Sequence, residues 1–261
     1  MDETEWLACT DSRSMLGFLL EEATDKASDR KLRLFTCAYA RRVWGLLKAR
    51  RKVRPFEIAE RYADGEGLFD DIRAACEAVY RWGKGRPFPT ALQHACMAPL
   101  LHPRGEEEGE LPVSPRAYAS RGRGVNCTVQ ASTYVAWELL RDPDGRPLRS
   151  GDFPDYEAFS AAVLPLCLAE LCAQAALLHD IFGPLPFRAV AIHPDVLAWN
   201  DRVVLRVAQA VYDERRFGVM PILADALLDA GADDEELIQH CRSAGPHVRG
   251  CWAVDLILGK S

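Results

Sequence analysis

The densest group of metal-competent side chains lies near the end of the chain, where His240, Cys241, His247 and Cys251 fall in one short stretch. Thiolate and imidazole are ligands that zinc prefers. A Cys-x5-His-x3-Cys spacing around the SAGP turn can bring Cys241, His247 and Cys251 onto one ion. The spacing is not that of an established zinc module, so a fourth ligand has to come from elsewhere, with Cys9, Cys37 or His193 as candidates. The competing expectation is that Cys241 and Cys251 are core thiols on two packed helices, while His240 and His247 cap helices or face solvent.

Catalytic readings of the same residues are weaker. Cys251, His247 and Asp255 sit four residues apart, which would align them on one helix face, but such rows arise by chance on most helices. The sequence has no Gly-flanked serine elbow, no Gly-rich phosphate loop with Lys and no HExxH, so the common hydrolase and nucleotide signatures are absent. The carboxylate pairs Asp70/Asp71 and Asp213/Glu214 stand in polar helical contexts. A basic patch at Lys48, Arg50, Arg51, Lys52 and Arg54, with a looser one at Arg116, Arg121 and Arg123, offers charge to nucleic acid, or simply complements a helix end. Arg188, Trp199 and Asn200, on a proline-fixed crossing, and Asp213 and Arg215, in YDERRF, are the candidate binding surface; the last two equally suit ion pairs between helix ends.

These residues need a frame, and spacing near 3.6 predicts that it is all-α, a multi-helix bundle or array. Asp11 or Ser12 caps a first helix to about residue 23. Ser28 caps a second, with Leu32, Phe35, Tyr39, Val43 and Leu46 as a buried stripe and a basic exposed side. Pro55 opens the next, Gly65 closes it, and Leu68 to Val79 mark another. Residues 89–101 and 126–140 add two more. The Pro- and Gly-rich stretch 102–124 reads as a loop or lid, and makes 1–101 and 125–261 the alternative to a single domain 1–261. A long apolar helix over 156–182, bent at Pro165, is expected at the centre. Residues 187–192 are a candidate short strand pair. Helices follow at 201–217, 221–230, 233–242 and 247–258. A helix-turn-helix made from the last two fails, because its second helix carries mostly apolar side chains.

Composition sets the class. A chain of 261 residues buries a core without staples, and nine cysteines with no basic, apolar leader predict a reduced, cytoplasmic protein. The region 161–178 contains Pro165, Glu170 and Gln174 and makes a poor membrane span. A net charge of −6 does not mark a general nucleic-acid binder.

Three C-terminal motifs, LLHDIFGPLPFRAV, YDERRFGVMPILADALLDAG and HCRSAGPHVRGCWAVDLILGK, together with SDRKLRLFTCAYARRVWGLL near the start, carry a resemblance. The chain resembles a bacterial cytosolic family, often present as many paralogues in one genome, over about residues 1–65 and 167–261. That resemblance implies an intact fold and no particular activity. GPLPFRAV stands where the family has GNPFRPV, and TCAYARR where it has a cysteine-richer run, so a metal or redox role for those cysteines does not carry over. The leading expectation is a non-enzymatic helical module that binds another protein without a cofactor; the alternatives are a zinc-stabilised protein associated with nucleic acid and, behind it, an enzyme whose site assembles from residues distant in sequence.

Overall fold

A computed structural model of the chain describes residues 1–46, 54–83, 135–136 and 139–260. Ten helices appear among them: α1 (Glu3–Ala8), α2 (Ser12–Glu21), α3 (Asp29–Leu46), α4 (Arg54–Ala63), α5 (Phe69–Gly83), α6 (Tyr156–Phe182), α7 (Pro194–Glu214), α8 (Met220–Asp229), α9 (Glu235–Arg242) and α10 (Trp252–Leu258). The all-α expectation holds, and most helix starts are set by caps. Asp2 and Glu5 form a reciprocal capping box on α1, a helix the spacing did not reveal, and Asp11, Asp155 and Asp234 cap α2, α6 and α9. The basic residues 48–52, the helix at 89–101, the stretch 102–124 and most of 126–140 lie outside the described residues.

Two expectations about position are overturned. Helix α3 has no basic exposed side, because residues 31–40 are all buried. Its cations turn inward to partners: Lys31 donates to the Ile181 carbonyl at 2.6 Å, the Arg33 guanidinium covers the Tyr62 ring, and Arg41 donates to Glu60 at 2.9 Å. Helix α6 is central only in its second half, where Leu171, Ala175, Leu178 and Phe182 are buried, whereas Tyr156, Leu164 and Leu168 are exposed. This helix is long and apolar enough to cross a membrane by length and composition. Its buried Glu170 and Gln174 are nevertheless bonded inside the fold, to Arg42 at 2.6 Å and Ser12 at 2.8 Å.

The suggested strand at 187–192 does not form. The Phe187 and Arg188 amides, which would open a ladder, bond back to the Pro184 carbonyl at 2.9 and 3.1 Å and close a turn. Phe187 then stacks on Phe18, with ring centroids 5.2 Å apart. Among the described residues there is no strand, only an isolated bridge between Arg141 and Pro147.

One apolar core is built from α1 to α5 and the end of α6, and a second from α7 to α10. They meet where α6 ends. Gly183, at φ +51, leaves room for the Trp252 ring, which a Cβ there would approach to 2.5 Å. Buried charges cross the same boundary: Arg30 on α3 donates to Asp64 at 3.0 Å, to Asp255 on α10 at 2.6 Å and to the Tyr212 hydroxyl on α7 at 2.8 Å.

Gly183→Ala is therefore expected to destabilise the protein by about 3 kcal/mol, combining a left-handed backbone with a clash against Trp252. Gly218→Ala, where nothing lies within 4 Å, should be neutral or stabilise by less than about 1 kcal/mol. Urea unfolding of the two variants checks the contrast.

Candidate metal centre

Asp180 lies in the last turn of α6, where the helix dipole disfavours a carboxylate, and its side chain is only 3% exposed. Such a group persists only if cations or N–H donors converge on it, and three do. The Val248 amide donates to Oδ2 at 2.9 Å, while His247 Nδ1 lies 2.8 Å and His240 Nε2 3.2 Å from Oδ1. The Sγ of Cys251 lies 3.1 Å from the same His240 Nε2. One ligand atom from each of Asp180, His240, His247 and Cys251 thus falls within 4.8 Å of all the others.

Each side chain arrives by a different local device. His240 is in the last turn of α9, six residues past the cap Asp234. His247 stands in the irregular connection after Ser243, its Nε2 3.2 Å from the Ser243 carbonyl. Cys251 is the N-cap residue of α10. It follows Gly250, whose φ of +96 and approach to Leu34, 3.0 Å from where a Cβ would be, suit only glycine.

The hydrogen-bond arithmetic at His247 defines what the cluster can do. A carbonyl oxygen only accepts, so when Nε2 of a neutral ring donates to Ser243, Nδ1 is a lone pair facing the anionic Oδ1 of Asp180 at 2.8 Å, whereas the Ser243 hydroxyl, 3.4 Å from Nε2, suits the opposite tautomer. In the first tautomer two acceptors at that distance repel. Either a second proton or a metal ion between them resolves the conflict. Tetrahedral zinc, with bonds of about 2.0–2.3 Å, separates its donor atoms by roughly 3.3–3.8 Å, so the short contacts must open to take one, within a cluster whose atoms all lie within 4.8 Å of each other.

The same geometry excludes a Cys–His–Asp nucleophile from these residues. In such a relay the two ring nitrogens serve the thiol and the carboxylate separately, whereas here one Nε2 of His240 faces both. Burial, with the charge of Asp180 nearby, also pushes the Cys251 thiol well above its ordinary value. The expected row His247–Cys251–Asp255 does not exist, since His247 precedes the helix and Asp255 pairs with Arg30.

Of the three ligands the sequence suggested, His247 and Cys251 belong to the cluster. Cys241 is fully buried outside the quartet, and burial raises its thiol to about 12. None of the suggested fourth ligands is in the cluster either: Cys9 contacts the Asp11 carbonyl, Cys37 is buried on α3, and His193 caps α7. The ligands missed were Asp180 and His240, the second expected as a cap or at the surface; the signal for Asp180 was an acidic residue in a final helical turn.

The suggested binding surface divides in two. Arg188 bonds Glu3 at 3.0 Å and pairs with Glu236, and Arg215 pairs with the buried Glu60, so both hold helices together. Trp199 is 37% exposed beside a break in α7, where Asn200, Asp201 and Arg202 have φ of 44, 54 and 60. Asp213 is exposed and accepts from Gln209 at 2.8 Å. Of the basic patch, Arg54 is described and exposed at the start of α4.

No protein family, curated protein or solved structure matches this chain.

The metal-free protein should show a definite pH dependence. Burial alone would lower the pKa of His247, but the hydrogen bond and charge of Asp180 outweigh it and raise the pKa above 6.5. Burial likewise opposes ionisation of Asp180, yet its bonds to His240 and His247 hold it below 3.8. The His247 contribution is fully present below 6.5 and is lost as pH rises through its folded value; the Asp180 contribution is present above 3.8 and is lost as pH falls through its folded value. Chelator-treated protein should thus melt at a higher temperature near pH ~6 than near pH ~8, with the difference reduced in His247→Ala. An identical slope in the variant would show that this pair is not its source.

Proposed function

We propose that the protein binds one zinc ion through Asp180, His240, His247 and Cys251, and that the ion is a structural staple in a non-catalytic helical module that contacts another protein. The observation that carries this reading is the His247 ring, with Nε2 3.2 Å from the Ser243 carbonyl and Nδ1 2.8 Å from a buried carboxylate that His240 also meets. A ligand imidazole anchored through its other nitrogen to a backbone carbonyl is the usual outer-shell support of a zinc site.

The donor set favours zinc over other cations. Hard Mg²⁺ and Ca²⁺ take oxygen shells, and Cu⁺ prefers sulfur, while one thiolate with two imidazoles and a carboxylate suits zinc in a tetrahedron. Four protein ligands close that tetrahedron and leave no position for a substrate, which favours a structural ion. Cys251 is fully buried and His247 only 5% exposed on its side chain, in keeping with the same role. The contact surface is supported by the exposed Trp199 on α7 and by Ile222 and Leu228 on α8. A cytosolic location, as in the bacterial family the motifs resemble, accords with a reduced thiol ligand.

Elemental analysis of native protein, followed by zinc titration of chelator-treated protein, tests the site. One zinc per chain is expected, with affinity falling more than about 100-fold in Cys251→Ser and His247→Ala and unchanged in Cys241→Ser. Absence of bound zinc, or wild-type affinity in both ligand variants, would overturn the proposal.

A further inference from the structure

The connection 243–251, between α9 and α10, has no regular structure. Its own backbone bonds are short-range, from His247 to Gly245 and from Cys251 to Val248, each 2.9 Å. What docks it onto the rest of the fold comes from other elements. Asp180 of α6 takes the Val248 amide at 2.9 Å, Asp64 after α4 takes the Arg249 guanidinium at 2.6 Å, and Leu34 of α3 lies under Gly250. Segments held by few bonds of their own are the ones that open first.

Two of its residues, His247 and Cys251, are members of the metal cluster, and Arg249 stands between them. Fixing both flanking residues fixes where Arg249 points. Its guanidinium then meets Asp64 and stacks over the Tyr212 ring, 4.4 Å from the centroid. The peptide of Cys251 also begins the turn that carries Asp255, whose amide donates to the Cys251 carbonyl at 2.9 Å. Asp255 in turn holds Arg30 at 2.6 Å, and Arg30 reaches back to Asp64 at 3.0 Å. The metal cluster and the buried ion network are thus joined through one short length of backbone.

Resting on the zinc reading above, we infer that the ion acts as a latch. Zinc binding docks residues 243–251 onto α6 and so closes the Arg249–Asp64–Arg30–Asp255 network that ties the C-terminal helices to α3 and α4. Zinc release leaves the segment held by the bonds of Asp180 to His247 and Val248 and loosens that joint, while the apolar cores persist. The availability of zinc then regulates how firmly the two halves of the protein are coupled.

Hydrogen exchange on the full chain, with zinc and after chelation, tests this. Chelation should raise exchange about tenfold or more in peptides covering 243–255 and in those covering 60–66, and leave α2 and α8 unchanged. Arg249→Met should still bind zinc and protect 247–251, yet lose protection at 60–66 with the metal present. If zinc binds one to one but its removal changes neither region, the latch is wrong and the site stands. If α2 and α8 open equally, zinc is a global stabiliser and the latch is also wrong. If no zinc binds, the site itself fails.

Discussion

A carboxylate at the wrong end of a helix organises the C-terminal half of this protein. Asp180 faces the negative pole of α6 and is almost wholly removed from water, so its charge is tolerated only while donors or cations meet it. His240, His247 and the Val248 amide do so from two further segments. The path of the chain after α9 follows from that demand. It must swing back to Asp180, expose the Ser243 carbonyl to His247, and turn at Gly250 to deliver Cys251.

A second set of buried charges runs beside the first and works differently. Asp64 and Asp255 are matched by Arg30 and Arg249, each held by more than one partner. Replacing such networks with apolar side chains is often neutral for stability, because desolvation offsets most of the attraction. Their value lies in geometry: a guanidinium fork accepts few arrangements, so α3, the end of α4, α7 and α10 meet in one register. Among the described residues, Nε of Arg249 and Nε1 of Trp6 are the buried side-chain atoms without a hydrogen-bond partner.

Legibility in the sequence followed how local the cause was. Caps such as Asp11 and Ser28 act within one turn and were readable. So was the clustering of His247 and Cys251, because they lie close in the chain. The inward turn of Lys31 and Arg33 was not readable, since cations on an amphipathic pattern normally face water and only Ile181 and Tyr62, brought by other helices, reverse that. Asp180 was missed for the same reason: it lies 60 residues before His240, and long-range partners leave no periodic trace. Prolines near 187–192 suit an extended or a turned backbone alike, and only the bonds back to the Pro184 carbonyl decide for the turn.

The account stands on four side chains sharing one ion, and X-ray absorption at the zinc edge of the loaded protein reads that shell directly. It should show a single sulfur at about 2.3 Å and three nitrogen or oxygen neighbours at about 2.0–2.2 Å. A shell with no sulfur, with two sulfurs, or with six oxygens would contradict it.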